Sequence, residues 1–567
     1  MRKPRILKPG DGTSTGARQA QPGAAEDVVV VGAGAAGLTA AYFAAQAGAQ
    51  VLVLERTREA GKKILMSGGS RCNILPLVAD LDTDFFTESS RSALRAAFAT
   101  WTLEGAKEWL EDDIGLALEL EEANAKWFPA SNSSRDVRDA LVAACRRAGV
   151  QFRYDSSLEG LEQCSSSKSS RSSSSDDVGD NDGRNGDSSS NSSSRNSSSS
   201  GTEVGAAGDA GQIEIGGSRG ANTGGKGKRK RVTGGGAERC DWVCRLAGGT
   251  GVRARTVVLA TGGLSFPAVG TDGTGHRIVA KLGHSLAQPY AALTPLLGRH
   301  PGGEQLAGLT LPSVKLSAHR AAPAPAADDA SGASGSGEGG GPGGGKKAKG
   351  KGGNKGGGGG ASVAVAQRGG FLFTHKGYSG PAVLDLSHRA VVALERGETP
   401  PVIRANWTGD APEDWDARLR QGGPALVATL LQRGGLKERL ALALCSALGI
   451  TGRTAAQLRK EERAALVSAL TAYPLDLTGH EGYKKAEVTG GGVPLNQINC
   501  RTGESTVLPG LFLCGEIVDV FGRIGGFNFL WAWISGRAAG LGAAAAAAEA
   551  AAVTGAAAER LPVRGEP

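Results

Sequence analysis

Apolar and polar positions fall into blocks along the chain, and the first block is the sharpest. Residues 28–31 are four valines, followed by the turn sequence GAGAAG (residues 32–37), an alanine-rich run and a second apolar burst, VLVL (residues 51–54), which closes on Glu55. An unbroken β-branched run predicts a strand. The alanine-rich run predicts a helix. The unit is therefore strand, tight turn, helix, strand. Later blocks extend the pattern. RDVRDALVAACRRAGV (residues 135–150) has helical apolar spacing with a glycine near its end. VQFRYDSSLEGLE and DWVCRLAGGTGVRARTVVLATGG read as strands of one sheet, and FLFTHKGYSGPAVLDLS (residues 371–387) as strand, turn and strand. Residues from about 405 to 475 are helical in pattern. Residues 485–540 return to strands and a glycine turn before the helix FNFLWAWISGRAAGLGA.

Two segments have no such blocks. Residues 164–236 are serine-rich and residues 321–360 glycine-rich. Neither can bury enough apolar surface to offset the entropy of ordering, so both are expected to be disordered insertions at loop tips. A host fold tolerates them because closure cost grows only logarithmically with loop length. They also carry the charge. Lys226, Lys228, Arg229, Lys230 and Arg231 form one basic run, and Lys346, Lys347, Lys349, Lys351 and Lys355 another. These cations exceed the whole formal excess of +8, so the remainder is close to neutral. That favours solvated loop charges over a groove built for nucleic acid.

The eight cysteines form no framework. Cys240 and Cys244 have three residues between them and no second pair comes after, so no metal site is expected, and the scatter fits a reducing, intracellular compartment. Residues 1–26 form a basic leader, read either as a plain disordered leader or as the remnant of a plastid or mitochondrial transit peptide. The protein is accordingly expected to be cytoplasmic or organellar. The alanine-rich tail, residues 546–567, carries Glu549, and no stretch reads as a transmembrane helix. A soluble protein with no membrane partner is expected, and nothing in the sequence sets its oligomeric state.

The glycines of the first block form G-x-G-x-x-G, with a task for each. Gly32 permits the tight turn, Gly34 lets the backbone approach a pyrophosphate, and Gly37 lets helix and strand pack closely. The helix N-terminus offers amide donors to the phosphates, and Glu55, eighteen residues past Gly37, accepts from ribose hydroxyls. The complete context points to a dinucleotide, and the acid argues against a 2′-phosphate. The rest of the chain indicates FAD rather than NAD. No hydride-acceptor domain succeeds the second strand. Late in the chain, PGLFLCGEIVDVFGRIGGFNFLWAWISGRAAG (residues 509–540) supplies a short strand, Gly515, Asp519, a glycine pair and a helix. Such an element completes flavin sites, the helix N-terminus facing the pyrimidine ring.

With these pieces in place the chain resembles the HI0933-like flavoprotein family, also known as BaiN or YhiN-type and sometimes labelled aminoacetone oxidase. The matching stretches are VVVVGAGAAGLTAA, AGKKILMSGGSRCN, WFPASNSSRDVRDAL, VVLATGGLSFPAVGTDGTGHRIVAKLGH, FLFTHKGYSGPAVLDLS, AEVTGGGV and LFLCGEIVDVFGRIGGFNFLWAWISGRAAG, in family order from about residue 27 to 541. The resemblance implies an α/β fold: a discontinuous Rossmann-type FAD-binding domain, an inserted β-barrel-like domain and a small helical domain. The expected FAD-binding parts are residues 27–163, 237–290 and 481–545. The β-rich insertion would span 291–320 and 361–404, and the helical domain 405–480. The FAD contacts it implies are Gly32, Gly34, Ala36, Gly37, Glu55, Arg56, Lys63, Gly69, Arg71, Asn73, Thr261, Gly262, Gly515, Asp519, Gly526 and Asn528. Two departures stand out. Ser70 replaces a glycine usual in the family, and Gln497 and Gly503 replace an acid and a methionine near the C-terminus.

Other polar residues admit two readings. His375 and Tyr378 in the THKGYSGP turn are candidate proton donors to the carbon next to a hydride acceptor. Alternatively, they belong to a turn shaped by Gly377, Gly380 and Pro381. Cys72 lies near the expected flavin but lacks a resolving partner, so a structural role is preferred. The same holds for Cys514, His276, His284, Trp531 and Trp533. The expected activity is an FAD-dependent oxidoreductase passing electrons from NAD(P)H, bound transiently, to a small-molecule substrate. Reduction of an activated C=C bond is the leading reaction, by resemblance to bile-acid reductase members. Alternatives are dihydrouridine formation in ribosomal RNA, oxidation of a small amine by O₂, and a flavin-bound interaction protein without catalysis.

Overall fold

A computed structural model describes residues 25–164, 242–301, 306–320 and 363–559. Residues 1–24 of the leader, residues 165–241 with the first basic run and Cys240, residues 321–362 with the second basic run, and residues 560–567 of the tail lie outside the described residues, whereas Glu26, expected in the leader, opens the first strand.

The first strand, Glu26–Val31, has Val51–Leu54 on one side and Gly251–Leu259 on the other, all parallel. Gln151–Arg153 extends the sheet beyond Val51–Leu54, and Leu511–Leu513 pairs in parallel with Val257–Leu259. The antiparallel strands Trp242–Leu246 and Leu158–Gln163 complete it. Val28, Val29 and Val30 are fully buried, as a strand covered on both faces requires. The helix Ala35–Gln46 lies on this sheet, and the C-terminal helix Phe527–Glu559 packs against it. Small residues set that approach. A Cβ at Gly536 would stand 2.5 Å from the Ala36 carbonyl oxygen, and one at Gly540 would stand 2.2 Å from that of Ala40. The helix continues to Glu559, so the first part of the alanine-rich tail is its last turns.

The second sheet is antiparallel and nearly closes on itself. Its order is Tyr473–Pro474, Val402–Asn406, Thr310–His319, Val363–Phe373, Gly377–Ser379, Leu296–Arg299, Asp476–His480. The two edge strands are separated in sequence by Leu475 alone, so one short stretch of chain supplies both rims. Residues 473–480, expected in the helical domain, therefore belong to this sheet. The helices Pro412–Gln421, Val427–Arg433, Glu438–Ala447 and Lys460–Thr471 share its core, around Phe371, Phe373, Trp407 and Trp415.

PAVLDLS, expected as a strand, instead starts the helix Pro381–Glu395. Pro381 occupies the first turn, where its missing N–H costs nothing and its fixed φ suits the helix. Ala382, Val383, Leu386, Ala390 and Val391 then form one buried stripe.

Each low-complexity segment joins the two strands of an antiparallel pair. Gln163 is paired with Trp242, and His319 with Val363. Insertions at such points leave the register on either side intact.

Candidate active site

A cavity of about 390 Å³ lies at the carboxyl ends of the parallel strands, where Val31, Leu54, Ala260 and Gly515 line it. Ligands bind at this edge of open α/β sheets.

The glycine turn builds one part of its wall. Gly32 adopts φ +101°, and a Cβ there would sit 2.5 Å from the Ala260 oxygen. At Gly37 a Cβ would reach within 1.9 Å of the Gly32 oxygen, so this glycine serves helix–strand packing and does not itself line the cavity. Gly34 is different: a Cβ there meets nothing within 4 Å. It lines the cavity as N-cap of the helix Ala35–Gln46, leaving a bare backbone that a pyrophosphate can approach. Glu55 ties the turn to the second strand. Its Oε2 accepts from the Ala33 N–H at 2.9 Å, and its Oε1 from the Thr57 N–H at 2.9 Å and the Thr57 hydroxyl at 2.8 Å. Carboxylate oxygens with further lone pairs can still receive ribose hydroxyls. Arg56 pairs with Asp272 at 2.8 Å and donates to the Gly270 oxygen at 3.1 Å. Burial opposes ionisation of Asp272, but hydrogen bonds from Thr274 and Arg56 outweigh it and hold the carboxyl at about 2.

A second group of lining residues comes from distant segments. The Lys63 ammonium donates to Ser265 Oγ at 2.7 Å and to Glu516 Oε2 at 2.6 Å. Glu516 Oε1 accepts from Ser265 Oγ at 2.7 Å and from the Thr489 N–H at 3.0 Å. Burial pushes the Glu516 carboxyl up, but Lys63 and these donors prevail and keep it ionised. Thr489 Oγ1 in turn accepts from the Leu264 and Ser265 N–H groups. Glu487 also lines the cavity. Burial raises its carboxyl, Glu516 raises it further and Lys63 opposes.

The N-terminus of Phe527–Glu559 closes the wall with Gly525, Gly526 and Asn528. A Cβ at Gly526 would lie 2.6 Å from the Leu75 carbonyl carbon. Both polar atoms of the Asn528 amide bond Gly522, at 2.8 Å each, locking the preceding turn.

Gly69, Asn73 and Gly262, expected as contacts, line the same cavity, as does Ala36. Arg71 and Asp519 do not. Arg71 stacks on the Phe128 ring at 4.3 Å, pairs with Glu121 at 2.8 Å and donates to Asn132, so it fastens a small neighbouring sheet. Asp519 accepts from the Thr87 hydroxyl and the Glu88 N–H, both at 2.9 Å, and is buried away from the wall. Burial lifts its carboxyl to about 6.

His375 and Tyr378 are not at the cavity. His375 is exposed on its turn. Tyr378 is fully buried in the second core, where its hydroxyl donates to the Arg299 oxygen and burial raises its pKa. Burial pushes the Cys72 and Cys514 thiols to about 12, and no described cysteine has a disulfide partner. His276 bonds the Ile517 oxygen and His284 the Ser505 hydroxyl. Trp531 donates to the Gly515 oxygen while lining the cavity, and Trp533 donates to the Ile74 oxygen. Gln497 bonds Ser285, and neither it nor Gly503 lines the cavity. Ser70, in place of glycine, sits at φ +71°; Gly68, Gly69 and Cys72 are left-handed as well, while Arg71 between them is right-handed.

Sequence reasoning missed Glu516, Ser265, Thr489, Glu487 and Asp272. Glu516 directly follows Gly515 at a strand end, and that adjacency was the available signal. Among the described residues no cluster of acidic, histidine or cysteine side chains is set to hold a metal, and no helix is long and apolar enough to cross a membrane.

The residues present fit a flavin dinucleotide. Thr261 Oγ1 is buried at the wall with no hydrogen-bond partner among the described residues, a costly state that a ligand polar group would relieve. Together with the open backbone at Gly34 it defines a site for a phosphate-bearing dinucleotide on a Rossmann-type sheet. The description "HI0933-like protein Rossmann domain" matches residues 26–179 and 229–542, so the chain belongs to the HI0933-like family of FAD-dependent oxidoreductases. Among named relatives, the ribosomal RNA dihydrouridine synthase of Escherichia coli (strain K12) is 27% identical over 519 residues, covering 90% of this chain and 96% of that one. The 3-dehydro-bile acid delta(4,6)-reductase of Clostridium scindens is 24% identical over 532 residues, covering 91% and 98%. A solved 3-ketosteroid-delta4-(5alpha)-dehydrogenase from Rhodococcus jostii RHA1 aligns over 92% of this chain and 96% of its own, at 16% identity and a TM-score of 0.39.

Proposed function

We propose that the protein is an FAD-dependent reductase that takes electrons from NAD(P)H and saturates a C=C bond conjugated to a carbonyl in an organic acceptor. The carrying observation is the N-terminus of the 33-residue helix Phe527–Glu559 at the cavity wall. Its unsatisfied N–H groups and positive potential favour negative charge on a bound, reduced ring. When bound and reduced, FAD supplies the hydride. The residues of this chain bind and orient. Gly32 and Gly34 admit the pyrophosphate, Glu55 receives the ribose, and Lys63, held by Glu516, presents a fixed cation. The relatives' names support the reaction, since dihydrouridine formation and delta(4,6) reduction each add hydrogen across such a bond.

A ribosomal RNA acceptor is the second reading, favoured by two relatives of that name at 27% and 23% identity. Anaerobic stopped-flow mixing of the NAD(P)H-reduced holoprotein with a cyclic enone or a uridine-bearing ribosomal RNA fragment tests both. Reoxidation by either, well above an acceptor-free blank, is expected. If only O₂ reoxidises the flavin, with steady peroxide release, the protein is an oxidase. If no acceptor does so, it is a flavin-bound interaction protein. Deleting both basic runs and repeating RNA binding across salt concentrations measures what they contribute.

A further inference from the structure

Saturating a C=C bond needs a hydride at one carbon and a proton at the next. Neither residue singled out in the THKGYSGP turn reaches the cavity, and its wall carries no histidine, tyrosine or cysteine among the described residues. Its acids are Glu55, Glu59, Asp272, Glu487 and Glu516. Four of them are already engaged. Glu55 holds the glycine turn, Glu59 pairs with Arg138 at 3.1 Å, Asp272 pairs with Arg56, and Glu516 pairs with Lys63.

Glu487 stands apart. Its carboxyl makes no hydrogen bond or ion pair among the described residues, while its backbone is pinned. The Glu487 N–H donates to the Leu293 oxygen at 3.1 Å, and Thr489, two residues on, is held against Glu516, Leu264 and Ser265. The side chain is half-buried and enters the same cavity as Lys63 and Glu516. We propose that Glu487 is the acid that protonates the acceptor carbon adjacent to the one receiving hydride.

This inference rests on the reductase reading. The step balances. Bound, reduced FAD, recharged by NAD(P)H, would supply the hydride for one alkene carbon and be left oxidised. The Glu487 O–H bond breaks as a C–H bond forms at the other carbon, and Glu487 ends as a carboxylate that solvent reprotonates. Two neighbouring carboxyls with opposite environments are the arrangement that separates an acid from a permanent anion. The charged groups acting on Glu487 are Lys63, from the helix Lys62–Met66, and Glu516, from the turn Gly515–Ile517. Burial, with Glu516, raises the Glu487 carboxyl above the ordinary glutamate range, against the pull of Lys63.

The test uses the FAD-loaded Glu487→Gln variant. FAD content and donor-driven flavin reduction should match wild type, while anaerobic reoxidation by an enone should slow by about 10²–10⁴-fold, the span of general acid catalysis. The wild-type reoxidation rate should fall as pH rises through the Glu487 titration, and the variant should lose that dependence. A readout without turnover is the infrared difference spectrum of the holoprotein against pH. It should show a protonated carboxyl band that titrates above the ordinary glutamate range and is missing in E487Q. Reoxidation within about threefold of wild type, far inside that span, overturns the proposal. So does a band that persists in E487Q, or loss of FAD from the variant, which would assign Glu487 to holding the cofactor. If wild type reoxidises with no C=C acceptor while the band is present, the reductase reading is what fails.

Discussion

The two groups of cavity residues differ in how far apart in sequence their members lie. The dinucleotide group, Gly32, Gly34 and Glu55, comes from one strand–turn–helix–strand unit of about thirty residues and is wired by short-range bonds such as Ala33 to Glu55. The ionic group, Lys63, Ser265, Glu487, Thr489 and Glu516, comes from three distant stretches of chain. In the first, backbone sterics exclude a Cβ at Gly32 and at neighbouring Gly37, while Gly34 stays open and Glu55 is fixed by hydrogen bonds; the second is held by charge compensation in a partly buried site. Steric constraints tolerate no added atom, whereas an ion pair can be replaced if both partners change together.

Gly37→Val sets the upper end of that contrast. Its Cβ would meet the Gly32 oxygen at 1.9 Å, so helix and strand must part. A loss on the order of 3 kcal/mol or more is expected, with FAD no longer retained, read as flavin-to-protein ratio and melting temperature. Lys63→Met comes next. It strands the Glu516 carboxylate and should cost roughly 3 kcal/mol, and the double variant K63M/E516Q should recover much of it while FAD remains bound. A double variant as damaged as K63M alone would break the contrast.

Asp385→Asn probes the junction between the two cores. Asp385 on the helix Pro381–Glu395 accepts from the Ile524 N–H at 2.7 Å, and burial lifts its carboxyl to about 7. The folded state thus keeps a proton that the unfolded chain releases at about pH 4. The favourable contribution is complete below that pH and is lost as pH rises towards 7. Wild-type melting temperature should therefore carry a decline over this window that D385N lacks, as thermal unfolding at several pH values will show. Tyr378→Phe should lower stability by about 1 kcal/mol by freeing the Arg299 oxygen, and leave flavin reduction and reoxidation unchanged. Altered reoxidation would return that turn to the chemistry. The smallest effect is expected from Ser70→Gly. It relieves a left-handed φ of +71°, partly offset by the entropy glycine adds to the unfolded chain, for a gain of roughly 0.5 kcal/mol in denaturant titration.

Much of this was legible in the sequence. The valine strand, the three glycines, Glu55 and the late Gly515 turn were read where the structure has them, because each rests on a local rule of period or sterics. The errors share one pattern. PAVLDLS has a short apolar run that period alone cannot assign, and Pro381 at the first helical turn decided it. Arg71 and Asp519 sit in motifs beside the cavity, yet their side chains turn to Phe128 and Thr87. His375 and Tyr378 have suitable chemistry, but the first is exposed on its turn and the second is buried in the second core, so neither lines the cavity.

By itself, then, the sequence determined the dinucleotide turn, the strands that carry it and the small-residue face, Gly536 and Gly540, that brings the last helix back onto the first. Those features depend on atoms a few residues apart or on the absence of side chains. Which ionisable groups share the cavity was decided only by the tertiary structure. The bend just before the strand Val488–Gly492 brings Glu487 to the cavity that Lys63 and Glu516 also line; burial raises both carboxyls, and the hydrogen bonds from Lys63, Ser265 and Thr489 that only Glu516 receives hold that one down.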